Sequence, residues 1–171
     1  MSIAIDSQVP RRNCRAVDGS RFRDALGRFA SGVTIVTTRD GERDYGATVS
    51  AFSSVSLTPP LVLCCFRRES DTVRAILDRR RFVVSLLAAD QADLARRFAA
   101  PLADRFGGIA VSRTDDGIAL IEGATAHLVC SVASHADAGD HLVVFGHVHR
   151  AGTADRGPLV VHRGAFGSFQ Q

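Results

Sequence analysis

Apolar and polar residues alternate with period two from Gly46 to Leu57, and the run stops at Pro59-Pro60. This pattern predicts a single strand. Ala47, Val49, Ala51, Ser53, Val55 and Leu57 share one face, and Thr48, Ser50, Phe52, Ser54 and Ser56 share the other. The second face is a row of hydroxyls interrupted by one ring, with no charge between Asp44 and Arg67. A solvent face ordinarily carries charges. Uncharged hydroxyls beside small residues suit a polar, partly anionic ligand laid along the strand. They also suit a Ser/Thr-rich strand that only pairs with its neighbours.

Residues 1–19 lack sustained periodicity and read as a loosely packed, flexible arm, with one domain over 20–171. Ser20 is placed to cap a helix over about 21–30, with Phe22, Leu26, Phe29 and Ala30 on one face and Gly32 ending it. The β-branched run 33–38 predicts a strand, and Asp40-Gly41 a turn toward the next one. Further strands are expected over 61–66, 82–87 and 109–112. Two long ones over 124–134 and 141–151 are joined by the turn 137–140, and 159–162 closes the sheet. Ser70 caps a short helix carrying Val73, Ile76 and Leu77, and 90–99 forms an amphipathic helix followed by a loop over 101–108. Consecutive strands without intervening helices predict a mainly β (α+β) fold, an antiparallel barrel with a few peripheral helices rather than a doubly wound sheet.

Composition narrows the function classes. With 171 residues, 46% of them hydrophobic, the chain can bury a substantial core. The apolar run Leu61 to Phe66 is too short to cross a bilayer and the N-terminus lacks a secretory pattern, so a cytoplasmic protein is expected. The net charge is +3, every basic residue is arginine, and many arginines stand beside Asp or Glu. This argues for a solvated surface rather than a nucleic-acid footprint. Cys14, Cys64, Cys65 and Cys130 form no C-x-x-C pair, and free thiols are expected. His147 and His149 are two apart, but no Cys, Asp or Glu stands beside them to complete a metal site. G-x-G-x-x-G, the P-loop pattern and a nucleophile elbow are all absent.

Several segments carry a resemblance. They are Phe22 to Thr38, Gly46 to Pro60, Pro59 to Phe66, Ser70-Asp-Thr72, Arg105-Phe-Gly-Gly108, Gly139-Asp-His141 and Pro158 to Phe166. In this order and spacing the chain resembles the short-chain flavin reductases, the reductase components of two-component flavin-dependent monooxygenases, built on a flavin-binding split barrel. The resemblance runs from about Arg21 to Phe166. It implies an NAD(P)H:flavin oxidoreductase that passes hydride from nicotinamide to FAD or FMN and supplies reduced flavin to a separate monooxygenase. NADH is the expected donor, and the nearby arginines also allow NADPH. A homodimer with flavin sites near the subunit interface is implied too.

The resemblance also implies site residues. Asp44, Tyr45, Gly46, Ala47 and Thr48 would border the flavin ring and ribityl chain, with Ser50 and Ala51 beyond, and Gly46 would let backbone approach closely. Cys65, Phe66 and Arg67 would lie against the ring edge. Ser70, Asp71 and Thr72 would offer N–H groups and hydroxyls to a phosphate, provided the Asp71 carboxylate turns away. Ala99 and Ala100 would add backbone contacts. His141 is the first candidate for contact with nicotinamide or flavin. Arg163, Gly164, Ala165 and Phe166 would meet the dinucleotide. Without the resemblance, Ser70 to Thr72 read as a helix start, Phe66 as core, and Tyr45, Arg67 and Arg68 as surface. Two other functions share these residues: a non-enzymatic flavin-binding or sensing module, and a split-barrel oxidase acting on a small substrate.

Overall fold

A computed structural model describes residues 16–169. Most of the predicted N-terminal arm, and Cys14 with it, lies outside these residues. The helices are α1 (Gly19–Gly27), α2 (Asp71–Arg79) and α3 (Ala92–Ala99). The strands are β1 (Ser31–Gly32), β2 (Thr34–Asp40), β3 (Arg43–Val49), β4 (Phe52–Leu57), β5 (Pro60–Arg67), β6 (Arg81–Leu86), β7 (Val111–Arg113), β8 (Ala119–Ile121), β9 (Ala126–Ala138), β10 (His141–Thr153), β11 (Leu159–His162) and β12 (Ala165–Ser168).

Seven strands form an antiparallel sheet in the order β3-β2-β6-β9-β10-β5-β4. Its two edge strands, β3 and β4, are consecutive in the chain and joined only by Ser50 and Ala51. In a flat sheet, six inter-strand spacings of about 4.8 Å would hold the edges roughly 29 Å apart. Two linking residues span only about 11 Å between flanking Cα atoms. The sheet therefore has to roll up until its edges meet. At the seam the Cys65 N–H donates to the Ala51 carbonyl at 2.9 Å.

This closure corrects the single strand predicted over Gly46 to Leu57. The chain leaves β2 at Val49 and joins β5 at Phe52, and the alternation changes face in between. Val49 is buried, but Phe52 rather than Ala51 packs on the core, while Val55 and Leu57 are exposed.

Other boundaries also differ. Asp18, not Ser20, caps α1, its carboxylate accepting from the Ser20 and Arg21 N–H groups at 2.9 and 3.3 Å. α1 ends at Gly27 and so does not reach Gly32. β11 does not close the large sheet; it is the centre of a second one, ordered β1-β11-β12. The short strands β8 and β12 have no counterpart in the sequence reading. β9 and β10 run on to Ala138 and His141, so their turn is only Gly139-Asp140, with Gly139 at φ +64°.

The barrel interior is filled by Val36, Val62, Cys64, Phe82, Val84, Cys130 and Val144 among others. α2 covers one part of it through Val73 and Ile76. A second cluster, with Ile35, Leu87, Ala95, Phe98, Ile121 and Leu159, joins α3 and the second sheet to the barrel.

Candidate flavin site

The elements around the seam enclose a cleft of about 520 Å³. Its floor is the β3–β4 link, with Ala47, Thr48, Ser50 and Ala51. One wall is the end of β5, with Cys65, Phe66 and Arg67, followed by Ser70 and Asp71 at the start of α2. The opposite wall is α3 and its loop, with Phe98, Ala99 and Arg105, and His141 stands at the start of β10.

The register explains why residues so far apart in sequence meet. His141 pairs with Arg67 across the β10–β5 ladder. Arg68 pins the hairpin tip: its N–H donates to the Asp140 carbonyl at 3.1 Å, its guanidinium donates to the Gly139 carbonyl at 3.0 Å and pairs with Asp137 at 2.6 Å. The His141 Nδ1 lies 2.8 Å from Asp140 Oδ1. That contact, the exposed Asp140 side chain's strongest, holds its carboxyl below the usual carboxylate range. With Nδ1 engaged, Nε2 is the imidazole nitrogen left to meet a ligand.

On the α3 side, the Thr48 hydroxyl donates to the Ala95 carbonyl at 2.7 Å. Thr48 thus docks the helix as well as lining the cleft. Gly46 is buried, and a Cβ there would lie 2.6 Å from Phe98 Cε1 and 3.0 Å from Phe106 Cζ. The close approach for which a glycine is required at this position is that of two aromatic rings, which meet edge to face at 5.0 Å, rather than that of a ligand. The exposed Asp71 carboxylate pairs with Arg74 at 2.5 Å. Ser70 occupies the N-cap position, but its side chain makes no capping bond. Burial raises the half-buried Cys65 thiol above its ordinary value.

Not every predicted residue lines the cleft. Asp44 and Tyr45 line an adjoining groove. The Asp44 carboxylate is held by Arg113 at 2.7 and 3.0 Å and by Arg39 at 3.2 Å. Burial alone would raise this carboxyl, but the two guanidiniums outweigh it and hold it below the usual range. Thr72 is 1% exposed, and its hydroxyl is buried without a partner among the described residues. Only its backbone N–H, at the open start of α2, remains to meet a ligand. Ala100 lies outside the cleft, its carbonyl accepting from Arg105 Nε at 3.0 Å. Arg163 and Gly164 line a separate cavity of about 550 Å³ that shares Ser50, Ala51 and Cys65 with the cleft. They form the two-residue β11–β12 turn with φ of +51° and +77°, the signature of a type I′ hairpin. Ala165 and Phe166 line neither cavity; Phe166 packs on the second core cluster under the Arg96 guanidinium, 5.2 Å from its ring centre.

Besides Phe98, Arg105 is a cleft residue that the sequence does not assign to the site. It bridges the carbonyls of Ala100 and Gly46, each at 3.0 Å, and faces the cleft. The signal lay in the Arg105-Phe-Gly-Gly108 segment, which carries the family resemblance but implies no site role for Arg105 in the sequence analysis. Among the described residues, no group of three His, Cys, Asp or Glu side chains is placed to hold a metal ion, and no helix is long and apolar enough to cross a membrane.

A family model described as a flavin reductase like domain matches residues 26–170. The chain belongs to this family. Among curated relatives of this flavin reductase-like chain, the reductase component of a 4-nitrophenol 4-monooxygenase/4-nitrocatechol 2-monooxygenase from Rhodococcus opacus is 42% identical over 165 residues. That match spans 96% of this chain and 89% of the relative. An FMN reductase (NADH) from Agrobacterium fabrum is 40% identical over 150 residues, 88% of this chain and 86% of that one. Among solved structures, a Streptomyces globisporus NADH:FAD oxidoreductase in complex with NAD and FAD fragments matches with a TM-score of 0.85 at 34% identity, over 92% of this chain and 98% of that one. The rolled sheet with its separate β1-β11-β12 sheet is the split barrel of the family.

The donor set fits a flavin. An isoalloxazine needs a flat, dry slot, and Ala47, Ala51, Cys65 and Phe98 supply apolar wall. A ribityl chain needs hydroxyl and backbone partners, and Thr48 and Ser50 lie along the floor. A phosphate needs N–H donors and positive charge, met by the α2 N-terminus, Ser70 and the guanidiniums of Arg67 and Arg105.

Proposed function

We propose that this chain is an NAD(P)H:flavin oxidoreductase that supplies reduced flavin to a separate monooxygenase component and works as a homodimer. The observation that carries the reading is the cleft itself. It gathers the β3–β4 link, the end of β5, the start of α2 and His141 around one slot of flavin size. When both cofactors are bound, nicotinamide supplies a hydride and the flavin accepts it.

The chain's own residues bind, orient and exclude water. Ser50, Ala51 and Cys65 stand where the cleft opens into the cavity of Arg163 and Gly164, and these residues would hold a nicotinamide nucleotide against the flavin from that side. Arg163 supplies a cation for its phosphates. His141, braced by Asp140, sets the geometry at the ring edge. Ser70 and the N–H groups of Asp71 and Thr72 receive the flavin phosphate. Phe166 supports the wall from behind through the second core cluster.

The homodimer reading is supported by Phe22 and Leu26 of α1, exposed at 52 and 57%, by Phe29 just beyond the helix at 78%, and by Val55 and Leu57 of β4 at 46 and 92%. A second copy covering this apolar surface would also close the cavity lined by Leu26, Phe29 and Arg163.

The test is anaerobic NADH oxidation by the purified chain with FMN and FAD titrated separately, alongside light scattering for oligomeric state. Saturable reduction of added flavin by a dimer is the expected result. Flavin binding without turnover would favour the sensing module, and a monomer under assay conditions would remove the homodimer.

A further inference from the structure

The β9–β10 ribbon has two faces. Leu128 and Cys130 of β9 turn into the barrel interior, so His127 and Val129 turn to the opposite face. The β7–β8 hairpin lies over that face, and Leu120 of β8 packs against a third core cluster that includes Val129. Between hairpin and ribbon is a cavity of about 430 Å³, within the roughly 300–1,000 Å³ of small-molecule sites. It shares no lining residue with the flavin cleft or with the cavity of Arg163. We infer that this cavity is a separate binding site for an uncharged phenol, whose ring lies on the apolar floor and whose hydroxyl hydrogen-bonds to the His127 imidazole.

The register leaves room beside that imidazole. His127 stands directly across from Gly152 of β10, and paired residues project on the same face. Gly152 has no side chain, and a Cβ there would meet nothing within 4 Å. The imidazole therefore keeps an open flank on the ribbon. Among the described residues, hydrogen bonds reach the rings of His141 and His149 but not that of His127. Burial pushes the half-buried His127 below its ordinary value, so at neutral pH the ring is uncharged. It offers one N–H donor and one nitrogen acceptor, and a ligand can satisfy either.

Charge fixes the class of ligand. The charged side chains of the lining are Arg113, Asp115 and Arg150, and each has its counterion. Asp44 holds Arg113 through two contacts of 2.7 and 3.0 Å, and the Gly117 carbonyl accepts from the same guanidinium at 2.6 Å. Arg150 pairs with Asp115 at 3.2 Å. The lining thus leaves no guanidinium over for a carboxylate or phosphate, and no carboxylate for an ammonium group. Leu120, Ala124 and Val129 call for an apolar body. The Thr114 hydroxyl already accepts the Ile118 N–H at 3.0 Å, and Ser112 and Thr153 stand at the exposed rim. The inner polar contact is then His127. A flat ring with a single hydroxyl, the shape and polarity of a tyrosine head, meets both demands.

This site stands apart from the flavin reductase reading and does not depend on it. The test is titration of the full chain with phenol, followed by calorimetry and by the imidazole signals in NMR, with the His127 signal assigned from its loss in His127→Phe. Phenol should bind saturably with a dissociation constant below about 1 mM and shift the His127 signal. Benzoate, an anion of similar shape, and anisole, which has no O–H to give, should each bind about fivefold more weakly or worse, the worth of one hydrogen bond. His127→Phe keeps a flat ring and should weaken phenol by about the same factor. Gly152→Phe, at an exposed strand position, should weaken it too by filling the open flank, and is the second variant should His127→Phe fail to fold. Absence of saturable binding, benzoate binding as tightly as phenol, or an affinity indifferent to both substitutions would overturn the site. NADH-dependent flavin reduction by the same proteins should be unchanged in both variants, and its absence in the wild type would overturn the reductase reading instead.

Discussion

Phe98 occupies the space that any side chain at position 46 would need. A Cβ on Gly46 would sit 2.6 Å from Phe98 Cε1 and 2.9 Å from its Cδ1. Phe98 is 1% exposed and packed in the second core cluster, so it has little room to retreat. Gly46→Ala is expected to destabilise the fold by about 1–3 kcal/mol, the range for overpacking a filled core, and to weaken flavin binding by moving the α3 wall. Urea unfolding checks the first effect. Gly32→Ala is the control, because its Cβ would meet nothing within 4 Å.

Ser50 and Thr72 separate a ligand role from a core role. Ser50 is exposed and lines the cleft, so Ser50→Ala should raise the flavin dissociation constant by about two- to tenfold, the worth of one hydrogen bond. The Thr72 hydroxyl is buried and unpartnered. Thr72→Val keeps the shape and removes the unsatisfied group, and should leave flavin affinity unchanged while stabilising the fold by up to about 1 kcal/mol. Affinity titrations on the two variants decide both.

His141 should matter more for reduction than for binding. His141→Ala is expected to slow NADH-dependent flavin reduction about tenfold, roughly 1.4 kcal/mol of barrier, with less than a threefold change in flavin affinity. Asp140→Asn should show a smaller loss of the same kind, since it weakens the brace at Nδ1 without removing the ring. Single-turnover kinetics distinguishes the step; unchanged turnover in His141→Ala would place the residue outside the site.

Asp44 ties β3 to β7 through Arg113, and its carboxyl lies below the ordinary 3.8 of an aspartate. A depressed folded value means that stability is present in full above the unfolded value and is lost as pH falls through the folded one. Acid unfolding of the wild type should therefore steepen below about pH 4. Asp44→Asn should flatten that limb and cost about 1–2 kcal/mol at neutral pH, a figure reduced by the solvent exposure of Arg113. Unfolding free energies from pH 3 to 7 (about half-unit steps) measure both.

Much of the site was legible because its parts are short and local. Ser70 and Asp71 start a helix, His141 follows a Gly-Asp turn, and Ala47 to Ala51 form a run of small and hydroxyl residues; each reads from neighbours in the chain. What failed depended on residues far away. The direction of the Thr72 hydroxyl is set by the packing of α2 on the barrel. The role of Gly46 is set by rings 52 and 60 positions later. Arg105 becomes a site residue only because its loop folds back onto β3.

The sequence by itself determined the elements and their class: alternation, β-branching and turn residues act over a few positions, and they foretold most strands, all three helices and an antiparallel barrel. Only the tertiary structure decided that the run from Gly46 to Leu57 is two strands rather than one. Alternation records that a residue is extended, but not which partner it pairs with. The partner changes at Ser50-Ala51 because a seven-stranded sheet whose edge strands are joined by two residues must close on itself, and that closure places the start of α2, the α3 loop and His141 around one cleft.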